Sequence, residues 1–367
     1  MPETINFDFK QAFRTWELNA GYPMITVIFN STENVFVITQ KRYFSASEVI
    51  PEEDLSSWYI PLSYTTGVHP DFENKTFTDY FVDGTTQKTI STAEIQGFDG
   101  SQWFIFNLQQ LGYYRVNYDE NNWNKIIGVL HSANFNQIHV LNRAQLIDDA
   151  LTFAFDNVIS YDIAFGIVSY LRRETDYIPW YTAMVAFDKL DYILKGSDFY
   201  EDFQKFVRIL VTRLYVEYDF EGVNNISPSE QLAVELAIDW SCRAGDQRCL
   251  ENAYNNMKSR NMPKPLEIAY ICNGMKGPNR TLEYEHLLDR MDKSVIQTER
   301  LRIINGLLCS NDHELLKKFV QTALNDEIYY RRHEIRRIFG SVAQRSEIGL
   351  EVLIEIIEEH YDAVINR

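Results

Sequence analysis

Residues 103–123, WFIFNLQQLGYYRVNYDENNW, constrain the fold more than any other stretch of this chain. Trp103, Ile105 and Asn107 alternate with Phe104, Phe106 and Leu108, so the segment reads as a strand wetted on at most one face. Gly112 then permits a turn. The run from Tyr113 onward (Tyr114, Arg115, Val116, Asn117, Tyr118, Asp119) brings together one guanidinium, short polar side chains and three phenols. Those groups can make a hydrogen-bonding corner. An ordinary strand and turn is the plainer reading of such a segment taken alone.

The rest of the sequence divides around that corner. Up to about residue 110, β-branched and aromatic runs alternate with turn signals. MITVIFN and NVFVITQ read as a hairpin, and SSWYIPLSY, KTFTDYFVD and the strand from Trp103 complete a small antiparallel set. Such strands predict a compact β-sandwich. From Asn122 onward the period becomes helical: Leu146, Ala150 and Ala154, with Ile147, Leu151 and Phe155, make one apolar stripe. Further stripes lie in 164–171, 207–214, 232–238 and 315–324. Paired amphipathic helices with short connectors predict an α-solenoid. The expected fold is therefore multidomain, β then all-α, with a sandwich over residues 1–118 and helices over 119–367.

Length agrees, because 367 residues exceed what a single core usually supports. A net charge of −17 argues against a nucleic-acid partner, since an acidic surface repels phosphate. The bases Arg331, Arg332, Arg336 and Arg337 stand among acids and read as a solvated helix face. No segment has the roughly 18 uninterrupted apolar residues of a membrane span. The opening MPETINFDFK lacks a basic start and apolar stretch, so any secretory address is expected to lie outside this chain.

GYYRVNYDENNW resembles the junction between the third and fourth domains of the aminopeptidase N family, the gluzincin zinc aminopeptidases. Other landmarks follow in order, spanning about residues 10–310. Trp16, Gly21, Tyr22 and Pro23 resemble the W-x-x-Q-x-G-Y-P start of the third domain, with Asn19 where glutamine is usual. Gln40, Lys41, Arg42, Tyr43 and Phe44 resemble its QKRF strand end, and Trp58, Ile60, Pro61 and Leu62 its W-x-I-P-L strand. NRAQLIDDA, residues 142–150, resembles the start of the helical fourth domain. Tyr170, Leu171, Glu174, Tyr177, Pro179 and Trp180 fit the next helix pair.

The resemblance implies a β-sandwich followed by a curved stack of HEAT-like helix pairs. In a complete enzyme that stack closes as a bowl over a zinc domain that removes N-terminal residues from peptides. Zinc chemistry of this type needs HExxH on a helix, two histidines one turn apart with a glutamate base between them. His313-Glu314 is followed by Lys317 in the second ligand position, and His333-Glu334 by Arg337, and both cations would repel the metal. His69, His131, His139, His286 and His360 fall on no ligand spacing, and the family's GxMEN signature is missing. No cofactor and no catalytic residue are expected in this chain, with zinc in a catalytic domain preceding residue 1.

The leading expectation is thus the non-catalytic C-terminal region of an aminopeptidase N-like protein, supplying chamber wall and homodimer contacts. Its partners would be peptides in the helical bowl and its own catalytic domain, in an extracellular or plasma-membrane ectodomain. The alternative is a stand-alone truncated paralogue whose helices bind a peptide or protein without hydrolysing it. An autonomous hydrolase finds no support, because GxSxG, a catalytic Cys/His arrangement and a phosphate loop are all absent from the sequence.

Several residues are candidates for particular roles. Arg115 is expected to anchor the interdomain corner, since a planar fork of five donors suits a crowded aromatic turn. Arg331 aligns with the arginine of an R-x-Q-D-like run and is the peptide-chamber candidate, although YRRHE departs from that run. Ile354 and Tyr361 stand where the family tends to carry tryptophan, and the resemblance implies that the chain, ending at Arg367, stops before the final helices. Cys242, Cys249, Cys272 and Cys309 read either as free buried thiols or as bridges. Their short-then-long layout resembles two disulfides of secreted family members, which implies Cys242–Cys249 and Cys272–Cys309. Sequons at Asn30, Asn74, Asn225 and Asn279 are glycosylation candidates, the third weakened by Pro228.

Overall fold

The computed structural model describes residues 8–365 except 46, 47, 49–53, 55, 75, 78, 82, 83, 218–224, 261, 326–328 and 347. Helix α1 (Phe9–Leu18) comes first, started by Asp8, whose carboxylate accepts from the Gln11 N–H at 3.1 Å. The sequence reading had only strands here. The strands are β1 (Pro23–Asn30), β2 (Val35–Arg42), β3 (Pro61–Leu62), β4 (Tyr64–Thr66), β5 (Asp79–Tyr80), β6 (Gln87–Ser91), β7 (Phe104–Phe106) and β8 (Arg115–Tyr118).

Among the described residues these strands make one four-stranded sheet, in the order β6-β2-β1-β8, and two pairs, β3–β5 and β4–β7. The hairpin of β1 and β2 runs in full register from Pro23 opposite Arg42 to Asn30 opposite Val35. The β4–β7 pair packs over this sheet: the Phe36 ring of β2 lies 5.5 Å from Tyr64, 4.7 Å from Phe104 and 5.5 Å from Phe106. The set is not wholly antiparallel, because β8 joins β1 in parallel, Met24 beside Arg115. Parallel neighbours need a long crossover, and here the whole segment from β2 to β7 supplies it.

The helices follow as α2 (Glu120–Leu130), α3 (Val140–Phe155), α4 (Tyr161–Val168), α5 (Tyr177–Leu194), α6 (Tyr200–Glu217), α7 (Pro228–Arg243), α8 (Gln247–Ser259), α9 (Glu267–Met275), α10 (Thr281–Lys293), α11 (Gln297–Leu307), α12 (His313–Asn325), α13 (Arg332–Arg345), α14 (Gly349–Glu359) and α15 (Tyr361–Ile365). Two compact units are formed, Met1–Asp188 and Lys189–Arg367. The change from strand to helix near residue 119 therefore falls inside the first unit, where α3 packs against β8.

In the second unit, sequence neighbours pair, α6 with α7 and α8 with α9, and alternate helices α7, α9, α11 and α13 touch in succession. That is the stacking of a helical repeat, in which each pair buries its apolar face on the next. Ser227 starts α7 with a capping box, its hydroxyl accepting from the Glu230 N–H while the Glu230 carboxylate accepts from the Ser227 N–H at 2.8 Å. The core runs through Ile271, Ile303, Leu307, Phe319, Ile338 and Val352. Among the described residues no helix is long and apolar enough to cross a membrane.

Candidate functional site

The corner read from the sequence is built to replace missing strand partners. Phe104, Ile105 and Phe106 are wholly buried, so β7 is wetted on neither face. Side chains satisfy its backbone. Asn122 accepts from the Phe104 N–H at 3.1 Å and donates to the Phe104 carbonyl at 2.9 Å. The Tyr118 hydroxyl accepts from the Phe106 N–H at 3.0 Å. Asn107 takes a left-handed backbone, φ 63°, and its amide closes the turn on the Gly112 N–H and carbonyl at 2.8 and 2.9 Å. Gly112 is required by closeness, since a Cβ there would meet the Tyr114 ring at 2.1 Å.

Arg115 holds this corner to α3. Its Nη1 donates to Asp148 at 2.7 Å and Asp149 at 2.8 Å, and its Nε to the Tyr22 hydroxyl at 3.3 Å. The guanidinium also lies 5.5 Å from the Tyr43 ring centroid, and the Tyr43 hydroxyl donates to Asp156. Burial opposes the Arg115 charge, but Asp149 and Asp148 outweigh it and hold the guanidinium above its ordinary value. Burial pushes the Asp149 carboxyl up to about 7, with Arg115 pulling it down. About one and a half turns earlier in α3, Arg143 is buried and donates to Glu174 at 2.7 Å, which also accepts from the Tyr170 hydroxyl at 3.0 Å. The charged donors Arg115 Nη1 and Nε and Arg143 Nε are engaged with protein groups, which makes the corner a tie between strand and helix.

The sequence singles out Arg115 without naming Asp148 and Asp149, which it bonds, or Asn142, which pairs with the backbone at Asn107 and Gln109. A signal did exist: Arg143 and Asp149 stand among the apolar residues of α3's stripe, and a buried charge demands a partner.

The second unit contains an open cavity of about 510 Å³. Its basic lining residues are Lys195, Arg243, Lys276, Arg280 and Arg345, and its acids are Asp191 and Glu251. Arg243 donates to Asp191 at 3.1 Å and stacks 4.0 Å over Trp240. Lys276 donates to Asn273 at 2.7 Å, and Arg280 donates to the Gly274 carbonyl at 2.9 Å while stacked 3.4 Å over Tyr254. Arg345 is different. Burial lowers its pKa, and Arg337 and Arg243 add repulsion that Asp239 opposes. A pocket with five bases against two acids, in a chain of net charge −17, can hold an anion by charge-assisted hydrogen bonds.

The cavity is braced by a disulfide. Cys242, which lines it, is bridged to Cys249 with α-carbons 5.1 Å apart, the chain turning at Gly245, φ 78°. Cys272 in α9 is bridged to Cys309 just after α11, again at 5.1 Å. Both separations suit a bridge.

Arg331 is placed elsewhere. It is the exposed N-cap of α13, its N–H donating to Glu334 at 2.9 Å and its guanidinium to Gln297, whereas Arg345 closes the other end of the same helix. Asn74, Asn225 and Asn279 are exposed and Asn30 is half-buried.

The residues present do not fit zinc. His313 lies 3.1 Å from Glu355, and Lys317, in the second ligand position, donates to Glu355 at 2.8 Å and Glu359 at 2.7 Å. His333 lies 2.8 Å from Gln297, and Arg337 donates to Asn305 at 2.9 Å. Among the described residues no group of three or more histidines, cysteines or acids could hold a metal ion.

The family described as ERAP1-like C-terminal domain matches residues 103–367. The chain belongs to that family. Relatives extend the match towards the sandwich. It is 26% identical over 356 residues to an aminopeptidase N of Plutella xylostella, covering 94% of this chain and 36% of that protein. It is 28% identical over 328 residues to a membrane alanyl aminopeptidase of Manduca sexta, covering 88% of this chain and 32% of that one. It is 28% identical over 333 residues to the thyrotropin-releasing hormone-degrading ectoenzyme of Homo sapiens, 85% and 30% of the two. The chain thus spans about a third of the length of the curated relatives it matches. The matched domain runs from strands β7 and β8 through the helical repeat, and the aminopeptidase relatives' matches take in the sandwich strands before it.

Proposed function

We propose that the chain is the non-catalytic C-terminal region of an aminopeptidase N-like enzyme that removes N-terminal residues from peptides. The zinc and its catalytic domain belong to another part of such a protein. The helical unit serves as chamber wall and homodimer contact, in an extracellular or membrane-anchored protein whose bridges are made in an oxidising compartment. The cationic cavity is where the carboxylate end of a peptide docks.

The observation that supports this reading is the charge of that cavity, where Arg243 and Arg345 face a space that the acidic chain would otherwise leave negative. A terminal carboxylate matches the fork of a guanidinium. The test is calorimetric titration of the chain with an N-acetylated decapeptide and with its C-terminal amide. The acid should bind about tenfold tighter than the amide, and Arg345→Ala should erase the difference. Arg331→Ala serves as comparison, because it asks whether the peptide wall extends to the other end of α13. Equal binding of acid and amide by the unaltered chain would overturn the carboxylate reading.

A further inference from the structure

One of the four sequons lies between two chain neighbours that line the cationic cavity. Pro278 and Arg280 both line that cavity, and Asn279 sits between them, exposed, with φ 57°. Asparagine tolerates this left-handed backbone better than most residues. Among the described residues no hydrogen bond holds its side-chain amide. Thr281, the hydroxyl residue of Asn279-Arg280-Thr281, is exposed as the first residue of α10.

The other sequons are built differently. Asn30 is half-buried and its side-chain Oδ1 holds the β1–β2 turn, accepting from the Thr32 and Glu33 N–H groups at 3.0 and 3.3 Å. Ser227, the hydroxyl residue of the Asn225 sequon, is engaged as the cap of α7 and is followed by Pro228. Asn74 is exposed, its side chain accepting from the Thr76 N–H at 3.3 Å, but it belongs to the first compact unit. Of the four, only Asn279 combines an amide without a hydrogen bond, an exposed hydroxyl residue and chain neighbours on both sides that line the cavity.

We propose that Asn279 carries an N-linked glycan that screens the cavity mouth, so that its occupancy sets how readily an extended anionic ligand enters. The two disulfides suit the same compartment, since such bridges persist where the surroundings are oxidising. The transfer joins Asn279 Nδ2 to the anomeric carbon of a lipid-pyrophosphate-linked oligosaccharide. One amide proton is lost and the lipid pyrophosphate leaves. A glycan is bulky, hydrated and attached beside Arg280, so it obstructs a chain-like ligand far more than a compact one.

The screening half of this inference rests on the anion-binding reading of the cavity, and the experiment separates the two. The full chain is secreted from eukaryotic cells, and its peptides are mapped before and after glycosidase release in heavy-oxygen water. Asn279 should be occupied; an unmodified Asn279 overturns the proposal. The glycosylated chain, Asn279→Gln and Thr281→Ala are then titrated with citrate and with the N-acetylated decapeptide acid. The unglycosylated variants should bind the decapeptide about threefold tighter, mainly through faster association, with citrate affinity unchanged. Equal decapeptide affinity with Asn279 occupied overturns the screening alone. Failure of every form to bind either anion overturns the cavity reading and the screening with it.

Discussion

Asp149 receives Arg115 Nη1 on one carboxylate oxygen at 2.8 Å and the Val116 N–H on the other at 3.1 Å, so a single helix residue fixes both the side chain and the backbone of the last strand. Strand β8 and helix α3 are thereby joined by charge as well as by packing. Arg115 itself is mostly buried, with 18% of its side chain exposed, and Asp149 nearly fully so at 3%.

Arg115→Lys is expected to lower the melting temperature of the chain. A lysine reaches one carboxylate with a point charge but cannot serve Asp148, Asp149 and Tyr22 together from one planar fork. The lost hydrogen bonds to charged partners cost about 1.5–3 kcal/mol. Differential scanning calorimetry measures this directly, and an unchanged melting temperature would remove Arg115 as an anchor.

Asp149 makes stability depend on pH in an unusual direction. Its carboxyl is raised in the folded chain, from an ordinary 3.8 to about 7, by burial against the pull of Arg115. A raised group contributes stability that is fully present below its unfolded value and is lost as pH rises through its folded one. The contribution therefore declines between about pH 4 and pH 7. Asp149→Asn should be less stable overall yet show a flatter urea midpoint across that window. Parallel profiles for the two proteins would refute the assignment.

The two disulfides should differ in worth. Each removes entropy from the unfolded chain, typically about 2–4 kcal/mol. Cys272 and Cys309 are 37 residues apart and Cys242 and Cys249 only 7. The loop-length dependence makes the longer bridge worth about 1.5 kcal/mol more. Paired alanine replacements, Cys272→Ala with Cys309→Ala against Cys242→Ala with Cys249→Ala, compared by denaturant unfolding, test the order. A larger loss from the shorter bridge would contradict it.

Metal analysis gives a further check. Lys317 and Arg337 occupy the positions where a second histidine would ligate zinc, and both are engaged, with Glu355 and Asn305 respectively. The purified chain is expected to contain no stoichiometric zinc and to release nothing from aminoacyl chromogenic substrates. Hydrolysis abolished by a chelator and restored by zinc would show that the chain has a catalytic centre of its own.

The order of strands then helices, the helix stripes and the apolar β7 were legible in the sequence because periodicity is local: a strand repeats every two residues and a helix every 3.6. Arg115 stands out in the sequence for a related local reason, as a lone guanidinium in an aromatic turn. What the tertiary structure decided involves residues far apart in the chain. The parallel pairing of β8 with β1, the choice of Asp148 and Asp149 as partners of Arg115, and the gathering of Arg243, Arg280 and Arg345 around one cavity all depend on how elements meet. No local pattern encodes those meetings. They are chosen by shared burial, which makes a charge on one element acceptable only where another element brings its complement.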